Sequence, residues 1–365
     1  MPRFFAAAAE RTIAVTAYSQ TLERLVSLVR GRRRDDTLVA LIIDSPWLPG
    51  YAGVGTMDYY FDWSVWRGVW ERVLDDLPGV AFVPGAWVEL GMTAEPSGWG
   101  VPIQWSERQP PGVHHYPGDL AALADAAVPD PESDGLMPVI LRQYERTSPW
   151  LARTGLAPRM AACRGPLAIA SHLLGVTEML MATQLEPELC HRLLDKTTEL
   201  CIAWLRAQLR RMDEPVGILV LDDLVGMLGP DDAATFALPR VKRIFDAFPS
   251  LIHIFHNDTP NAKVFPGLAA VGADVFNFSH ETDLARAREL VGPDLVLMGN
   301  LPPLDLLARG TPEQVRAATR QHLDRVADVG PLLISPGGGV SPGTPIENLR
   351  ALAQEVQARF PLATA

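Results

Sequence analysis

Short apolar runs without polar alternation recur along the chain, at residues 37–44, 79–84, 160–162, 216–222, 251–255, 274–279, 294–298 and 331–335. Aliphatic and β-branched runs of this kind are the pattern of strands buried on both faces. Between them lie stretches with apolar residues at helical spacing: 65–77, 166–185, 187–211, 231–248, 283–290, 311–329 and 344–360. Over the later part of the chain, strand and helix alternate regularly. Eight strands with intervening helices predict an α/β fold, a (β/α)8 TIM barrel. An open doubly wound sheet is the alternative, but no Gly-x-Gly-x-x-Gly follows the first run.

Two segments stand outside that alternation. Residues 12–30 have helical periodicity, with Leu22, Leu25, Val26 and Val29 on one face. The Arg32-Arg33-Arg34 triplet that follows reads as a solvated helix end. Residues 85–159 are rich in Pro, Gly and Trp and too long for a bare connector, which predicts an elaborated insertion or a lid. No internal repeat is present, so residues 1–365 read as one barrel domain.

Composition narrows the class. The chain has 365 residues, 48% of them hydrophobic, enough for a sizeable core, and a formal net charge of −11. That charge disfavours a nucleic acid or an anionic membrane as partner. Cys163, Cys190 and Cys201 form no Cys-x-x-Cys pair and no disulfide framework, which suits a reducing cytoplasm. No apolar run is long enough to cross a bilayer, and residues 4–9 are too short for a signal core. The expectation is a cytoplasmic protein acting on a small-molecule substrate; the oligomeric state is not legible.

The ends of the apolar runs collect polar residues: Asp44, Arg164, Asp222, Asp223, His256, Asp258, His280, Asn300 and the Gly337-Gly338-Gly339 stretch. In a parallel barrel the carboxyl ends of the strands form the ligand site. Asp222 and Asp223 are adjacent, so at most one faces the centre; the other reading is an N-cap for a short helix. His256 and Asp258, two apart, can supply two ligands of a metal site such as Zn²⁺, or a general base with its orienting carboxylate, or simply a turn. His280 is a second imidazole candidate. The glycine stretch allows close backbone approach to a ligand, or serves as a flexible turn. Thr344 with Glu347 has capping-box spacing.

At these positions the chain resembles the uroporphyrinogen decarboxylase-like superfamily, which includes uroporphyrinogen decarboxylase and the cobamide-dependent methyltransferases. The resemblance rests on Arg164-Gly165-Pro166, His256-Asn257-Asp258-Thr259, Met298-Gly299-Asn300-Leu301-Pro302, Gly310-Thr311-Pro312-Glu313, and Gly337-Gly338-Gly339-Val340 through Thr344-Pro345-x-Glu347-Asn348. It implies a (β/α)8 barrel with its active site at the strand carboxyl ends. The decarboxylases' Arg-rich motif after the first strand is replaced here by Ile43-Asp44-Ser45-Pro46-Trp47-Leu48-Pro49-Gly50. The methyltransferases' zinc site, His-x-Cys with a later Cys, keeps His256, but its first Cys falls on Asp258 and its later Cys on Gly338. The stretch with Trp47, Tyr51, Gly53 and Asp58-Tyr59-Tyr60 is more methyltransferase-like.

The resemblance implies a methyltransferase-type enzyme that moves a methyl group between a small substrate and a corrinoid carried by a partner protein. Zn²⁺ would sit at a non-standard site containing His256 and Asp258. His256, Asp222, Asp223 and Arg164 are the expected catalytic residues, and Trp47, Asn300, His280 and Gly338 the expected substrate contacts. The alternatives are a cofactor-free decarboxylase, with Arg164 on a substrate carboxylate, and a non-catalytic ligand-binding barrel.

Overall fold

A computed structural model describes residues 18–154 and 157–361. All eight expected strands are present, here numbered in barrel order: β1 Ala40–Leu41, β2 Ala81–Phe82, β3 Met160–Arg164, β4 Gly217–Leu221, β5 Ile252–Asn257, β6 Val275–Phe278, β7 Val296–Leu301 and β8 Leu332–Pro336. Strands β3 to β8 form one six-stranded sheet in sequential order, every pair parallel. β1 pairs with β2, also parallel, and a Val39–Ile334 bridge links this pair to β8. The result is the (β/α)8 arrangement. Among the described residues no ladder joins β2 to β3, so the wall has a seam there.

The strands are buried because the barrel interior lies on one face and the helices on the other; all five residues of β4 are buried. β5 and β6 show how the alternation is used. Phe255, Phe276 and Phe278 point out toward the helical layer, where Phe265 meets Phe276 with ring centroids 4.9 Å apart. His253, on the same face as Phe255, stacks on Phe245 of the helix Leu238–Asp246. The other parity of each strand, including His256 and Asn277, points inward. Each fully buried phenyl ring contributes about 2 kcal/mol by area.

Three expectations are refined. The 166–185 helix is two helices, Pro166–Leu174 and Val176–Leu185, bent by 107° at Gly175, whose φ of 105° a side chain would resist. The 85–159 segment contains the helices Ala94–Ser97, Leu120–Asp125 and Met137–Thr154, plus a small antiparallel ladder, Ile103–Gln104 with Gly112–Val113. Thr344 caps nothing: its hydroxyl donates to Ser341 O, and Pro345 holds the cap position of Ile346–Arg359. Of the amino-terminal helix, residues 18–31 are helical and 12–17 lie outside the described residues. No described helix is by itself long and apolar enough to cross a membrane.

Candidate active site and metal centre

β5 brings the imidazole. His256 is the register partner of Asn277 on β6, and both face the barrel interior. The Asn277 amide nitrogen donates to Met298 O at 2.9 Å and Pro336 O at 3.3 Å. Its oxygen is thereby turned toward His256 and accepts a hydrogen bond from Nδ1 at 2.7 Å. Nδ1 therefore carries a proton, and deprotonation at Nε2 would leave that nitrogen's lone pair facing the site.

Two carboxylates stand before that nitrogen. Asp223 Oδ1 lies 3.5 Å from His256 Nε2 and accepts the backbone N–H of Asp258 at 3.2 Å. One ligand atom from each of Asp223, His256 and Asp258 falls within 4.8 Å of the others. Burial and the neighbouring Asp223 charge push the Asp258 carboxyl above its usual range, while His256 pulls it down. An imidazole nitrogen and two carboxylate oxygens are a donor set for a divalent metal, Zn²⁺ included.

Gly338 makes room for this group. Its φ is +119°, and a Cβ there would lie 2.5 Å from Asp258 Oδ2. A side chain at 338 and the Asp258 carboxylate compete for one space. His280 is half-buried, its backbone packed closely against Gly337.

Asp222 is not in this group. It is fully buried, and its oxygens accept the amides of Leu167 at 3.0 Å and Ala168 at 3.1 Å. It caps the helix Pro166–Leu174 from the neighbouring strand, satisfying amides that a helix start leaves open. A Cβ on Gly165, the N-cap residue, would overlap it. Burial, with a smaller effect of Asp223, pushes its carboxyl up to about 8 against the pull of those amides. Asp222, expected as catalytic, has its carboxylate engaged at this helix start.

Trp47 and Asn300, expected as substrate contacts, have their polar atoms engaged within the protein. Trp47 is buried, stacks on Tyr51 at 4.6 Å and donates from Nε1 to Thr344 O at 2.9 Å. Asn300 is buried and donates to Ser279 O at 3.2 Å and Thr282 O at 2.6 Å, with His322 Nε2 3.2 Å from its oxygen. Both tie loops to the barrel and leave no free polar atom facing the mouth.

Arg164 ends β3 half-buried. Its guanidinium makes no hydrogen bond or ion pair with a described residue, yet it acts on the charges of Asp44, Glu89 and Glu95. Glu89 accepts Ser45 N at 3.0 Å and Ser45 Oγ at 3.2 Å. Burial, then the Asp44 charge, pushes Glu89 up to about 7. Burial also raises Asp44, which Arg164 and His256 partly offset. His172, half-buried, is pushed down to about 4 by desolvation and then by the Arg164 charge.

Sequence reading missed Asn277, Glu89 and Glu95. The signals were present: a lone amide inside Val-Phe-Asn-Phe and a lone carboxylate inside Trp-Val-Glu-Leu. A polar residue within a buried run must find a partner, and the partner identifies its role.

A parallel barrel with a histidine–carboxylate group at the carboxyl ends of its strands is an enzyme architecture. The chain belongs to the uroporphyrinogen decarboxylase (URO-D) family, whose model matches residues 84–359. It is 29% identical over 233 residues to a methylated-thiol–coenzyme M methyltransferase of Methanosarcina mazei, covering 62% of this chain and 60% of that protein. It is 26% identical over 266 residues to the uroporphyrinogen decarboxylase of Carboxydothermus hydrogenoformans, covering 71% and 74%. Among solved structures, a methyltransferase from Methanosarcina mazei has the same fold, with a TM-score of 0.78 at 20% identity over 92% of this chain and 98% of that one. Members of the family are enzymes, methyltransferases or decarboxylases.

Proposed function

We propose that the protein is a metal-dependent methyltransferase, passing a methyl group between a small substrate at the barrel mouth and a corrinoid carried by a partner protein. The observation that carries this reading is the convergence of Asp223, His256 and Asp258 with the His256 tautomer set by Asn277. His256 Nε2, Asp223 and Asp258 would hold the metal. When bound there, a Zn²⁺ ion supplies Lewis acidity that favours the deprotonated form of a substrate heteroatom. Asn277 holds the imidazole in its ligating form, and Gly338 leaves Asp258 free to face the site. The similarity to a methylated-thiol methyltransferase supports the reaction class.

The test is metal analysis of purified protein with a demethylation assay on methylcobalamin. About one metal per chain, lost in His256→Ala together with methyl exchange, supports the reading. A metal-free protein that exchanges no methyl group removes it.

Arg164, half-buried and unpaired among the described residues, supports a second reading as a carboxy-lyase on a small acid. The three carboxylates around it weigh against a polycarboxylate substrate. Release of CO₂ from candidate acids, abolished in Arg164→Gln, would favour this second reading.

A further inference from the structure

The three metal-binding side chains stand on two separate loops. Asp223 opens the short 3-10 helix Asp223–Met227 after β4, whereas His256 and Asp258 lie at and just beyond the end of β5. The β4–β5 ladder stops at the Leu221–His256 pair, where these loops begin. Beyond it, side chains of the second loop hold the first. Asn257 Nδ2 donates to Asp222 O at 3.0 Å. Asn261 Nδ2 donates to Gly226 O at 2.9 Å and to Leu228 O at 3.0 Å, bracketing the end of the 3-10 helix. The two amides are themselves fixed: Asn257 Oδ1 accepts the N–H and the hydroxyl of Thr259, and Asn261 Oδ1 accepts the N–H of Lys263. Between the asparagines the loops touch. A Cβ on Gly226 would lie 1.5 Å from Thr259 Oγ1, 2.8 Å from Thr259 Cβ and 2.9 Å from Asn257 Oδ1, so a side chain there would force the loops apart.

This clamp works against an electrostatic load. Without a metal, Asp223 and Asp258 bring two carboxylates together, with ligand atoms of both and of His256 within 4.8 Å of one another. Like charges at this separation repel, and a loop can relieve the repulsion by swinging outward. Amide-to-carbonyl bonds are neutral. They oppose that movement without adding charge and without engaging any oxygen of Asp223 or Asp258.

We propose that Asn257 and Asn261 are positioning residues, which lock the Asp223 loop onto the Asp258 loop so that the metal-binding group is assembled before the metal arrives. Their amides are engaged by backbone carbonyls, so they act on the metal through Asp223 and Asp258. The assignment rests on the metal-binding part of the reading above and is independent of which group is transferred.

The test is competitive zinc titration of metal-free wild type, Asn261→Ala, Asn261→Asp and Asn348→Ala, each with its melting curve. Asn261→Asp keeps the shape and the acceptor for Lys263 but loses both donors; Asn261→Ala adds no charge. Asn348 is the control: it is buried and likewise bridges two loop carbonyls, Leu307 O at 2.8 Å and Gly310 O at 2.9 Å, outside the metal-binding group. Both Asn261 variants should bind zinc about 10–100-fold more weakly, as for other groups that orient ligands from outside the coordination shell. Asn348→Ala should melt earlier and bind zinc as the wild type does. Zinc affinity unchanged in both Asn261 variants, or lost to the same degree in Asn348→Ala, overturns the proposal. Hydrogen exchange of the metal-free wild type tests it without a variant: the amides of residues 223–228 and 257–261 should already be protected, and protection that appears only on adding zinc overturns it. A wild type that binds no zinc removes the metal reading and this assignment with it, whereas zinc binding indifferent to Asn261 removes this assignment alone.

Discussion

Gly338 and Asp258 share one space: the carboxylate of the second occupies the position that a side chain on the first would need, 2.5 Å from Oδ2. Gly338→Ala is therefore expected to displace Asp258 and to strain a backbone held at φ +119°. The expected cost is about 1–3 kcal/mol of stability, with weaker zinc binding. Urea unfolding and a competitive zinc titration measure the two effects. Unchanged zinc affinity would separate Asp258 from the metal.

Asn277 offers a subtler intervention, since it touches the imidazole and not the metal position. Asn277→Leu removes the acceptor at Nδ1 and leaves the carbonyls of Met298 and Pro336 without their donor. Metal affinity should fall about 10–100-fold, the usual range for a group that orients a ligating histidine. Asn277→Asp restores an acceptor and should recover part of the loss.

Asp222 and Asp223 are neighbours with opposite expected phenotypes. Asp222→Ala leaves two buried amides at a helix start without acceptors, a loss of about 2–4 kcal/mol in unfolding free energy. Asp223→Asn should leave stability nearly intact and remove metal binding. Chemical denaturation and metal analysis of the two variants distinguish the roles, and matching phenotypes would refute the division.

Glu89 makes stability depend on pH. Its folded-state carboxyl is raised to about 7 from 4.5. Between these values the folded chain holds a proton that the unfolded chain has lost. Stability is therefore highest below the window and falls as pH rises through it, by something on the order of 3 kcal/mol. Asp222, raised from 3.8 to about 8, acts in the same direction. Unfolding of metal-free protein from pH 5 to 8 should show the decline, and Glu89→Gln should flatten it.

How far the sequence reaches depends on what each feature encodes. The eight strands were legible because burial on both faces removes polar residues from the run, and that pattern survives even where β1 and β2 narrow to two-residue ladders. The pairing of His256 with Asp258 was legible from parity and spacing. The choice between Asp222 and Asp223 was not, because it is made by Leu167 and Ala168, residues of the preceding βα unit. The internal bonds of Trp47 and Asn300 were not legible for a related reason: polar atoms at strand ends serve loops as readily as ligands, and only coordinates show Thr344 or Ser279 receiving the bond. Glu89 and Glu95 lay in the irregular 85–159 segment, where no periodicity marks an inward direction.

The loop after β8 lies against a carboxylate that arrives some eighty positions earlier in the chain. A truncated product ending before residue 331 would retain all three acid and imidazole groups but lack the surface that confines Asp258. The mouth's chemistry can thus be retuned from the distal end of the polypeptide, by a single added methyl group, with none of those three groups altered.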